Sequence, residues 1–326
     1  MKTESSLAAQ IAMLQEMQQI EERITQAATA TNSSLTKELA VRLLKQGGKR
    51  LRPFLVVLCA SFGNYQKDAL VDTAAAAELI HTASLIHDDI IDEAKERRGA
   101  KSLNSLWGNK WAVLTGDYLF ATAFTLLVKH DGLGVLEPMT RSISLMCEAE
   151  IEQLKRCRDK IIPTVEIYYN YIYKKTAHFL SACCLTGALV SGLGEEKSQA
   201  LKNYGFHLGM AFQIIDDILD LAPGANLGKP AGADLRQRTI TLPLLLLLQN
   251  PVYAPTTRSL LSLDILTEED ISALSSAALK SGALEQARNK AVAHINLAKE
   301  FLRSFQGFAA KNTLDSLADF VLERKS

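Results

Sequence analysis

The stretch "AAAAELIHTASLIHDDIIDEAKERRG", residues 74–99, joins a long apolar run to three closely spaced aspartates. Its apolar side chains recur at three- and four-residue spacing, which is typical of a helix. Asp88 and Asp92 are four residues apart and so lie above one another on such a helix, with Asp89 beside them. The stretch therefore predicts a largely apolar helix with a cluster of carboxylates at its C-terminal end.

A second stretch, "QIIDDILDLA" at residues 213–222, repeats this arrangement. Asp216 and Asp220 share one face of the predicted helix, and Asp217 flanks them. If the two helices lie side by side, their acidic ends face each other. Two bare charges about 5 Å apart at an effective dielectric of about 20 repel by roughly 3 kcal/mol. The repeat therefore indicates that a cation binds between the two acidic triplets.

The predicted cation is magnesium. Aspartate oxygens without histidine or cysteine ligands suit a hard cation, and Mg²⁺ often completes its coordination with water and phosphate oxygens. The pattern thus points to a diphosphate ligand. A solvated acidic face is the more common explanation of one such motif, but a second copy in an equivalent apolar setting weakens that explanation.

Basic residues flank the first acidic stretch, where a phosphate group would need them. The segment "GGKRLRP", residues 47–53, contains one lysine and two arginines, and two more arginines follow Asp92. Arginine matches the geometry of phosphate oxygens well. His81 precedes Asp88 by two helical turns and shares its face, although a lone histidine there is more often a core residue. The candidate phosphate ligands are Lys49, Arg50, Arg52, Arg97 and Arg98, with weaker ones at Lys174, Lys175, Gln213 and Lys229.

Composition argues against several other classes of protein. The 36 Lys and Arg residues balance the 36 Asp and Glu residues without any basic block, so the charge pattern of a nucleic-acid-binding protein is missing. The five cysteines are odd in number and lack CxxC pairs, which indicates reduced core thiols. No linker divides the 326 residues, so we expect a single domain over 1–326, with an N-terminal helix in 1–30 and C-terminal helices in 254–326.

The sequence also lacks the pattern of a secreted or membrane-spanning protein. Residues 1–24 alternate polar and apolar side chains and do not form the continuous apolar core of a signal peptide. The stretch "FLSACCLTGALVSGLG", residues 179–194, is shorter than the roughly 20 residues of a membrane helix and contains three glycines. We therefore expect a buried core helix there, no membrane span, and a cytoplasmic protein.

Helical periodicity extends along most of the chain, and alternating runs of β-branched residues are missing. The predicted fold class is therefore all-α. Ser34 and Thr267 are placed to cap helices, and the long irregular segment 222–234 favours a functional loop. Long helices are predicted near residues 5–30, 34–46, 52–63, 68–93, 110–129, 136–156, 163–192 and 196–221, with shorter ones from about residue 239 onward.

Five motifs occur in the chain in the order "GGKRLRP", "ELIHTASLIHDDIIDEAKERRG", "LTGDYLFATAF", "YKKTAHFLSACC" and "FQIIDDILDL". Together they resemble the trans-isoprenyl diphosphate synthase (polyprenyl synthetase) family, from about residue 40 to about residue 250. The resemblance implies an isoprenoid-synthase bundle of antiparallel helices around a deep central cavity, usually dimeric. It also implies that both acidic motifs lie at the mouth of that cavity.

The resemblance implies two or three Mg²⁺ ions, replaceable by Mn²⁺, and two substrates, an allylic diphosphate and isopentenyl diphosphate. The implied metal ligands are Asp88, Asp89, Asp92, Asp216, Asp217 and Asp220, which with Lys175 are the implied catalytic residues. The implied ligands of the allylic diphosphate are Arg97, Lys175, Thr176, Gln213 and Lys229, and those of isopentenyl diphosphate are Lys49, Arg52, His81 and Arg98. Gln153 matches the glutamine of a family "GExxQ" motif whose glycine is Ala149 here.

Such a site needs no nucleophilic side chain. Metal ions and basic residues stabilise the departing pyrophosphate, the double bond of isopentenyl diphosphate attacks the allylic cation, and proton loss completes one elongation. In the family, the residues four and five positions before the first aspartate line the tunnel that receives the product. Ser84 and Ala83 stand there, and both are small. They predict a product of about C30–C50, with about C35–C40 favoured, built on farnesyl or geranylgeranyl diphosphate.

The chain departs from the family pattern after the second acidic motif. The family usually reads "DLxxGKxTLP", whereas residues 234–243 read "DLRQRTITLP", with Arg238 at the glycine and Thr239 at a phosphate-binding lysine. One hypothesis is that Arg238 replaces that lysine. The departure also resembles the catalytic subunits of two-component heptaprenyl synthases, so a homodimer and a heterodimer with a small regulatory subunit both stay open.

Other functions have weaker support in the sequence. A synthase of shorter products, about C15–C20, would share the same motifs. A terpene cyclase of the same fold usually has an Asn/Asp, Ser/Thr and Glu pattern as its second metal motif and lacks "GGKRLRP". A regulatory subunit commonly loses aspartates or arginines from these motifs, and this chain keeps all six aspartates.

Overall fold

The structure, a computed structural model, describes residues 2–45, 47–97, 99–222 and 232–324. The described residues are predominantly helical. Their α-helices are α1 (Lys2–Ala28), α2 (Ser34–Leu44), α3 (Leu51–Ala60), α4 (Lys67–Ile91), α5 (Leu103–Trp107), α6 (Asn109–Val128), α7 (Leu136–Arg158), α8 (Val165–Ile172), α9 (His178–Val190), α10 (Glu195–Leu221), α11 (Ala233–Arg236), α12 (Leu242–Gln249), α13 (Ala254–Ser262), α14 (Glu268–Lys280), α15 (Ala283–Phe301) and α16 (Ala309–Glu323).

The fold class is all-α, as predicted, and the bounds of the long helices lie within three residues of the predicted ones. Thr267 forms a capping box: its hydroxyl accepts the backbone N–H of Asp270, whose carboxylate accepts the backbone N–H of Thr267. The predicted cap at Ser34 is wrong by one residue. The side chain of Ser33 accepts the N–H of Thr36, and Ser34 is the first helical residue.

Two local features differ from the sequence-based prediction. A short antiparallel hairpin joins β1 (Glu96–Arg97) to β2 (Ala100–Lys101), and Gly99 adopts φ +74° in its turn, a conformation that favours glycine. Strands of two residues are too short to produce an alternating pattern. A turn of π-helix, Tyr173–Ala177, separates α8 from α9, which the periodicity predicted as one helix. The wider turn changes the helical register at the "YKKTA" motif.

The chain forms two compact units, and each is drawn from three stretches. The first comprises Met1–Ile143, Ala182–Lys202 and Ser304–Leu314, and the second comprises Ser144–Ser181, Asn203–Arg303 and Asp315–Ser326. This division does not follow one boundary in the sequence, so the single domain over 1–326 stays a prediction. The two acidic motifs belong to different units and are described separately below.

In the first unit, α4 packs against α1, α3, α5 and α6. Ala74–Ala77 and the larger Leu79 and Ile80 are fully buried, and each such large side chain contributes about 1.5–3 kcal/mol. Gly187 lets α9 lie close to α3, because a Cβ atom at Gly187 would stand 2.4 Å from the carbonyl oxygen of Val56. Burial along its length therefore fixes α4, and with it the acidic C-terminal end.

In the second unit, the leucine-rich α12 packs against α8, α13, α14 and α15. His207 on α10 contacts His294 on α15, with their Nδ1 atoms 2.9 Å apart. Aromatic rings of Tyr169, Phe206 and Phe301 surround this pair. The contact ties the helix of the second acidic motif to the C-terminal helices.

The histidine pair is expected to make stability depend on pH. One ring must donate the shared proton and the other must accept it, so the contact is lost when both rings are protonated. Burial and the neighbouring His207 lower the pKa of His294 from 6.5 to about 4, and burial lowers the pKa of His207. Between about pH 6.5 and 4 the unfolded chain therefore binds more protons than the folded protein does. The stabilisation is complete above pH 6.5 and falls as the pH is lowered through this window.

We expect His294→Gln to reduce the loss of unfolding free energy between pH 7.5 and 4.5 by about 1 kcal/mol, after allowance for the partial exposure of the rings. Urea unfolding of both proteins across this range measures the difference. Since groups outside the pair titrate alike in both proteins, the comparison isolates the histidine pair. Parallel stability curves for the two proteins would contradict the assignment.

Two of the described helices, α4 and α6, are long and apolar enough to span a membrane by length and composition alone. The apolar window of α4 is 72% buried in the protein, so α4 is a core helix. The window of α6 is only 39% buried, and Trp111, Val113, Leu114 and Val128 are exposed. The predicted core helix at 179–194 is confirmed, because α9 is buried along most of its length. We call the exposed side of α6, defined by those four residues, the α6 face.

Candidate active site

The first acidic motif lies at the C-terminal end of α4. Asp88 is half-buried, Asp89 is buried, and Asp92, the residue that ends the helix, is exposed. Arg97, from the hairpin, donates from Nε to Asp89 Oδ1 at 2.6 Å. This ion pair offsets the cost of burying the carboxylate. The hairpin, which the sequence did not reveal, thus brings a predicted phosphate ligand onto a predicted metal ligand.

Backbone contacts brace the loop after the motif. The side-chain amide of Asn104 donates to the carbonyl oxygens of Asp89 and Ala94, at 3.0 and 3.2 Å. The hydroxyl of Ser102 donates to the same oxygen of Ala94 at 2.6 Å. The start of α5 therefore holds the acidic end of α4 in place.

A pocket of about 30 Å³ borders this motif, and His81 and Arg97 line it together with Arg50 and Glu78. Arg50 has a left-handed backbone, with φ +50°. Its guanidinium donates to Glu78 at 2.8 Å and to Glu21 on α1. Two carboxylates of the protein therefore neutralise Arg50, which makes it a structural residue of this segment.

The other basic candidates in the first unit have varied positions. Lys49 is exposed, and Arg52 is half-buried at the start of α3. Arg98 lies outside the described residues. The structure thus places His81 beside Arg97 and Asp89, and Lys49 and Arg52 on the adjoining "GGKRLRP" segment.

The two predicted chain-length residues lie on α4, about one turn before the first aspartate. Ala83 is buried, and Ser84 is half-buried. The hydroxyl of Ser84 donates to the carbonyl oxygen of His81 at 2.9 Å, within the same helix. Both positions therefore add little volume next to the acidic end of α4.

The second acidic motif lies at the C-terminal end of α10, and its middle aspartate is again buried. Asp217 accepts hydrogen bonds from the hydroxyl of Tyr168 at 2.7 Å and from Nε2 of Gln213 at 2.9 Å. Burial, with the negative charges of Asp234 and Asp216, raises the pKa of Asp217 well above its usual range. The carboxylate is therefore held in an environment that disfavours its charge.

Asp216 pairs with a residue near the end of the chain. Nη1 of Arg324, which follows α16, lies 2.7 Å from Asp216 Oδ1. The guanidinium stacks on Phe212 at 4.3 Å from the ring centroid, and its side chain is only 11% exposed. No local pattern in the sequence predicts this pair, since 108 residues separate its members.

Asp220 has a local structural role in the second unit. Its two carboxylate oxygens accept the backbone N–H groups of Ala233 and Asp234, at 3.0 and 3.1 Å. Its carbonyl oxygen accepts the N–H of Gly232 at 2.7 Å. Asp220 therefore fixes the start of α11 against the end of α10. Lys229, another predicted ligand, lies outside the described residues.

Lys175, Gln213 and Asp217 line one pocket of about 50 Å³ in the second unit. Nζ of Lys175 lies 2.6 Å from Glu150 and 3.0 Å from the hydroxyl of Tyr171. Predicted ligands thus lie together here. The remaining lining residues are Gln153, Arg156, Pro163, Ile167, Tyr168, Tyr171, Asp234, Thr239, Ile240 and Thr241.

A chain of hydrogen bonds connects this pocket to the second acidic motif. The hydroxyl of Thr176 donates to Oε1 of Gln213 at 2.7 Å, and Nε2 of Gln213 donates to Asp217. The π-helical turn supplies both Lys175 and Thr176, so this irregularity positions them. Tyr168 and Tyr171 also line the pocket, and no sequence motif distinguishes them from ordinary core tyrosines.

The structure gives Arg238 a different role from the one hypothesised. Its guanidinium donates to the carbonyl oxygens of Leu263 and Asp264, and it lines a neighbouring pocket rather than that of Lys175. Its φ of +59° explains why a glycine suits this position. Thr239 does line the Lys175 pocket, where its hydroxyl accepts a hydrogen bond from Nε2 of Gln153 at 3.1 Å.

The donor set fits a hard divalent cation. In the part of the chain that the structure describes, no three His, Cys, Asp or Glu side chains already form a metal-binding cluster. Each motif nevertheless supplies only carboxylate oxygens, the ligands that Mg²⁺ prefers. The environment that raises the pKa of Asp217 also creates an electrostatic cost that a bound cation would remove.

Comparisons with known proteins show what the chain is similar to. Residues 33–277 match the family described as polyprenyl synthetase. The chain is 34% identical over 307 residues to heptaprenyl diphosphate synthase component 2 of Bacillus subtilis, covering 93% of this chain and 87% of that one. It is 41% identical over 212 residues to octaprenyl diphosphate synthase of Escherichia coli, covering 65% of each. The structure resembles a polyprenyl synthase of Caulobacter crescentus, with a TM-score of 0.90, 34% identity and 98% of both chains covered.

Proposed function

The chain belongs to the polyprenyl synthetase family and is a trans-prenyltransferase with the all-α isoprenoid synthase fold. We propose that it makes a long all-trans polyprenyl diphosphate. The proposed reaction is repeated, Mg²⁺-dependent condensation of isopentenyl diphosphate onto an allylic diphosphate. The observation that carries the proposal is the pocket shared by Lys175, Gln213 and Asp217. A cation, an amide and a charge-destabilised carboxylate together suit a metal-bound diphosphate.

The residues have separate proposed roles. The proposed Mg²⁺ ligands are Asp88, Asp89, Asp92, Asp216, Asp217 and Asp220. To bind a metal ion, the carboxylate of Asp220 would have to release the backbone N–H groups that it accepts. The proposed ligands of the allylic diphosphate are Arg97, Lys175, Thr176, Gln213 and Lys229, and those of isopentenyl diphosphate are Lys49, Arg52, His81 and Arg98.

In the proposed mechanism, bound Mg²⁺ supplies positive charge that stabilises the leaving pyrophosphate. Lys175 donates charge-assisted hydrogen bonds to phosphate oxygens, and Thr176 orients Gln213 for the same purpose. The bond between C1 of the allylic substrate and its diphosphate oxygen breaks, and the double bond of isopentenyl diphosphate forms a new bond to C1. The isopentenyl unit then loses a proton to the released pyrophosphate, so no side-chain base is needed. Buried Tyr168 helps to keep water from the cation.

A long product is favoured by the small residues before the first aspartate. Ala83 is buried and Ser84 is hydrogen-bonded within its own helix, so neither presents a bulky group. The similarity to a heptaprenyl and an octaprenyl synthase supports the same conclusion. We therefore propose a product of about C35–C40, with a C15–C20 synthase as the alternative.

Ala83→Phe is expected to shorten the product to about C15–C20, because an aromatic ring would fill the space that a growing chain enters. Mass spectrometry of the products measures the change. Ser84→Ala is the matched control: it removes one hydroxyl on the same helix and should leave product length unchanged. An Ala83→Phe enzyme that is folded and active but has the wild-type product distribution would contradict the tunnel position.

Release of pyrophosphate tests the reaction class. We expect the purified chain to release pyrophosphate from farnesyl diphosphate only when isopentenyl diphosphate and Mg²⁺ are also present. A terpene cyclase would release it from the allylic substrate alone, and a regulatory subunit would release none. Release from the allylic substrate alone, or no release by the chain as the proposed homodimer, would overturn the proposed function.

The assembly of the enzyme is proposed to use the α6 face. Four large apolar side chains there are exposed, a surface that a protein partner would cover. A second copy of the chain is the proposed occupant. A small unlike subunit is the alternative, which the similarity to a protein named component 2 favours. Light scattering of the purified chain, compared with Leu114→Glu, distinguishes a homodimer from a monomer that awaits another subunit.

A further inference from the structure

Arg156, near the end of α7, is a half-buried cation in the pocket of Lys175 and Asp217. Its side chain is 14% exposed. Nε and Nη2 donate to the amide oxygen of Gln153 at 3.3 and 3.0 Å, and the guanidinium lies 5.7 Å from the ring centroid of Tyr171. The two contacts hold the guanidinium in one orientation at the pocket wall.

The protein compensates the charge of Arg156 poorly. Among the described residues, the carboxylate within 4 Å of its guanidinium is that of Glu152, at 3.9 Å. Glu152 also binds Nζ of Lys174, at 2.6 Å. The closer contacts of Arg156 are to a neutral amide and an aromatic ring. A cation partly removed from water with its counterion at 3.9 Å could gain closer charged contacts from an anionic ligand in the pocket.

Gln153 links Arg156 to position 239. Its Nε2 donates to the hydroxyl of Thr239 while its Oε1 accepts from Arg156, so the three side chains form one hydrogen-bonded row along the pocket. Thr239 supplies no charge, and Arg238 is directed to the carbonyl oxygens of Leu263 and Asp264. The positive charge on this wall of the pocket therefore comes from α7 rather than from the segment before α12.

We propose that Arg156 is a substrate-binding residue whose guanidinium donates to the phosphate oxygens of the allylic diphosphate, in the pocket that Lys175 also lines. The inference rests on the proposed function of the pocket and adds to it a ligand that no sequence motif indicated. Arginine suits this role because its planar fork binds two phosphate oxygens at once. Gln153 and Tyr171 would orient the fork before the substrate arrives.

The test compares Arg156→Met, Arg156→Lys and Arg158→Met. Arg158, on the same helix, is 76% exposed and pairs with Asp159, so its loss controls for charge on α7. Steady-state kinetics should show the KM for farnesyl diphosphate raised about 10- to 100-fold in Arg156→Met, the range for loss of a hydrogen-bonded charge. The KM for isopentenyl diphosphate should change much less. Arg156→Lys should recover part of the loss, and Arg158→Met should match the wild type.

A second variant separates binding from packing. Adding Thr239→Lys to Arg156→Met puts a cation on the same wall and should lower the KM for farnesyl diphosphate again. If Arg156 only packs, Arg156→Met would lower the melting temperature with both KM values unchanged, and Thr239→Lys would rescue nothing. That result would overturn the inference and leave the proposed function intact.

Binding of inorganic pyrophosphate with Mg²⁺, measured by calorimetry, does not depend on turnover. If wild-type protein fails to elongate farnesyl diphosphate, the proposed function fails, whereas Arg156 is still tested by this binding. Weaker pyrophosphate binding by Arg156→Met than by Arg158→Met supports the inference. Equal affinities would contradict it.

Discussion

Asp216→Ala is expected to lower turnover by about 10³-fold or more, and Asp88→Ala, the equivalent change in the first motif, should have a similar effect. Each change removes one carboxylate of a proposed Mg²⁺ site, and metal-based charge stabilisation contributes several kcal/mol to the transition state. The loss should appear in kcat and should not be recovered by more substrate. Raising the Mg²⁺ concentration should recover only a small part of it.

Asp216→Ala should lower stability without unfolding the protein. The change removes a charge that raises the pKa of Asp217, but it leaves Arg324, whose side chain is only 11% exposed, without its ion pair. Asp264→Ala is a suitable control, because Asp264 is an exposed acid of the same unit that pairs with Lys160. Circular dichroism would establish folding. Turnover by folded Asp216→Ala within tenfold of the Asp264→Ala control would refute the metal assignment.

Lys175→Met is expected to lower kcat/KM for the allylic diphosphate by about 10²-fold or more. Lys175 is the amine that lines the pocket, and its charge-assisted hydrogen bonds would strengthen as negative charge develops on the leaving group. The variant also leaves Glu150, its partner at 2.6 Å, without its ion pair. That carboxylate would repel a diphosphate, which adds to the loss.

Lys174→Met provides the matched control for Lys175. The two lysines are adjacent in the π-helical turn, but Lys174 binds Glu148 and Glu152, at 3.3 and 2.6 Å, and does not line the pocket. Its loss should lower stability while kcat/KM stays within about threefold of the wild type. Equal kinetic losses in the two variants would show that the turn matters only for folding.

The regular part of the fold was predictable because burial of helices leaves a periodic record in the sequence. The long helices and the capping box at Thr267 follow from such local patterns. The π-helical turn at Tyr173–Ala177 does not, because a single wider turn barely disturbs the apolar periodicity around it. The strands Glu96–Arg97 and Ala100–Lys101 are too short to show an alternating pattern, so the hairpin was not predicted.

The candidate site was predictable where residue type determines chemistry. The aspartates stand out as possible ligands in the sequence alone, whereas Lys175 and Gln213 are weak candidates there whose roles the family resemblance implies. Their partners do not, since the Arg324–Asp216 pair and the Tyr168–Asp217 hydrogen bond join residues distant in the chain. Arg238 shows the same limit, because neighbouring sequence suggested a phosphate contact and tertiary structure directs its guanidinium to carbonyl oxygens.

Product analysis of the purified chain tests the central claim most directly. The chain is incubated with Mg²⁺, labelled isopentenyl diphosphate and farnesyl diphosphate, with and without excess EDTA. The masses of the products are then measured by mass spectrometry. We predict polyprenyl diphosphates of about C35–C40 that disappear in EDTA and return when Mg²⁺ is restored. Failure to extend farnesyl diphosphate, or extension that persists in EDTA, would contradict the account.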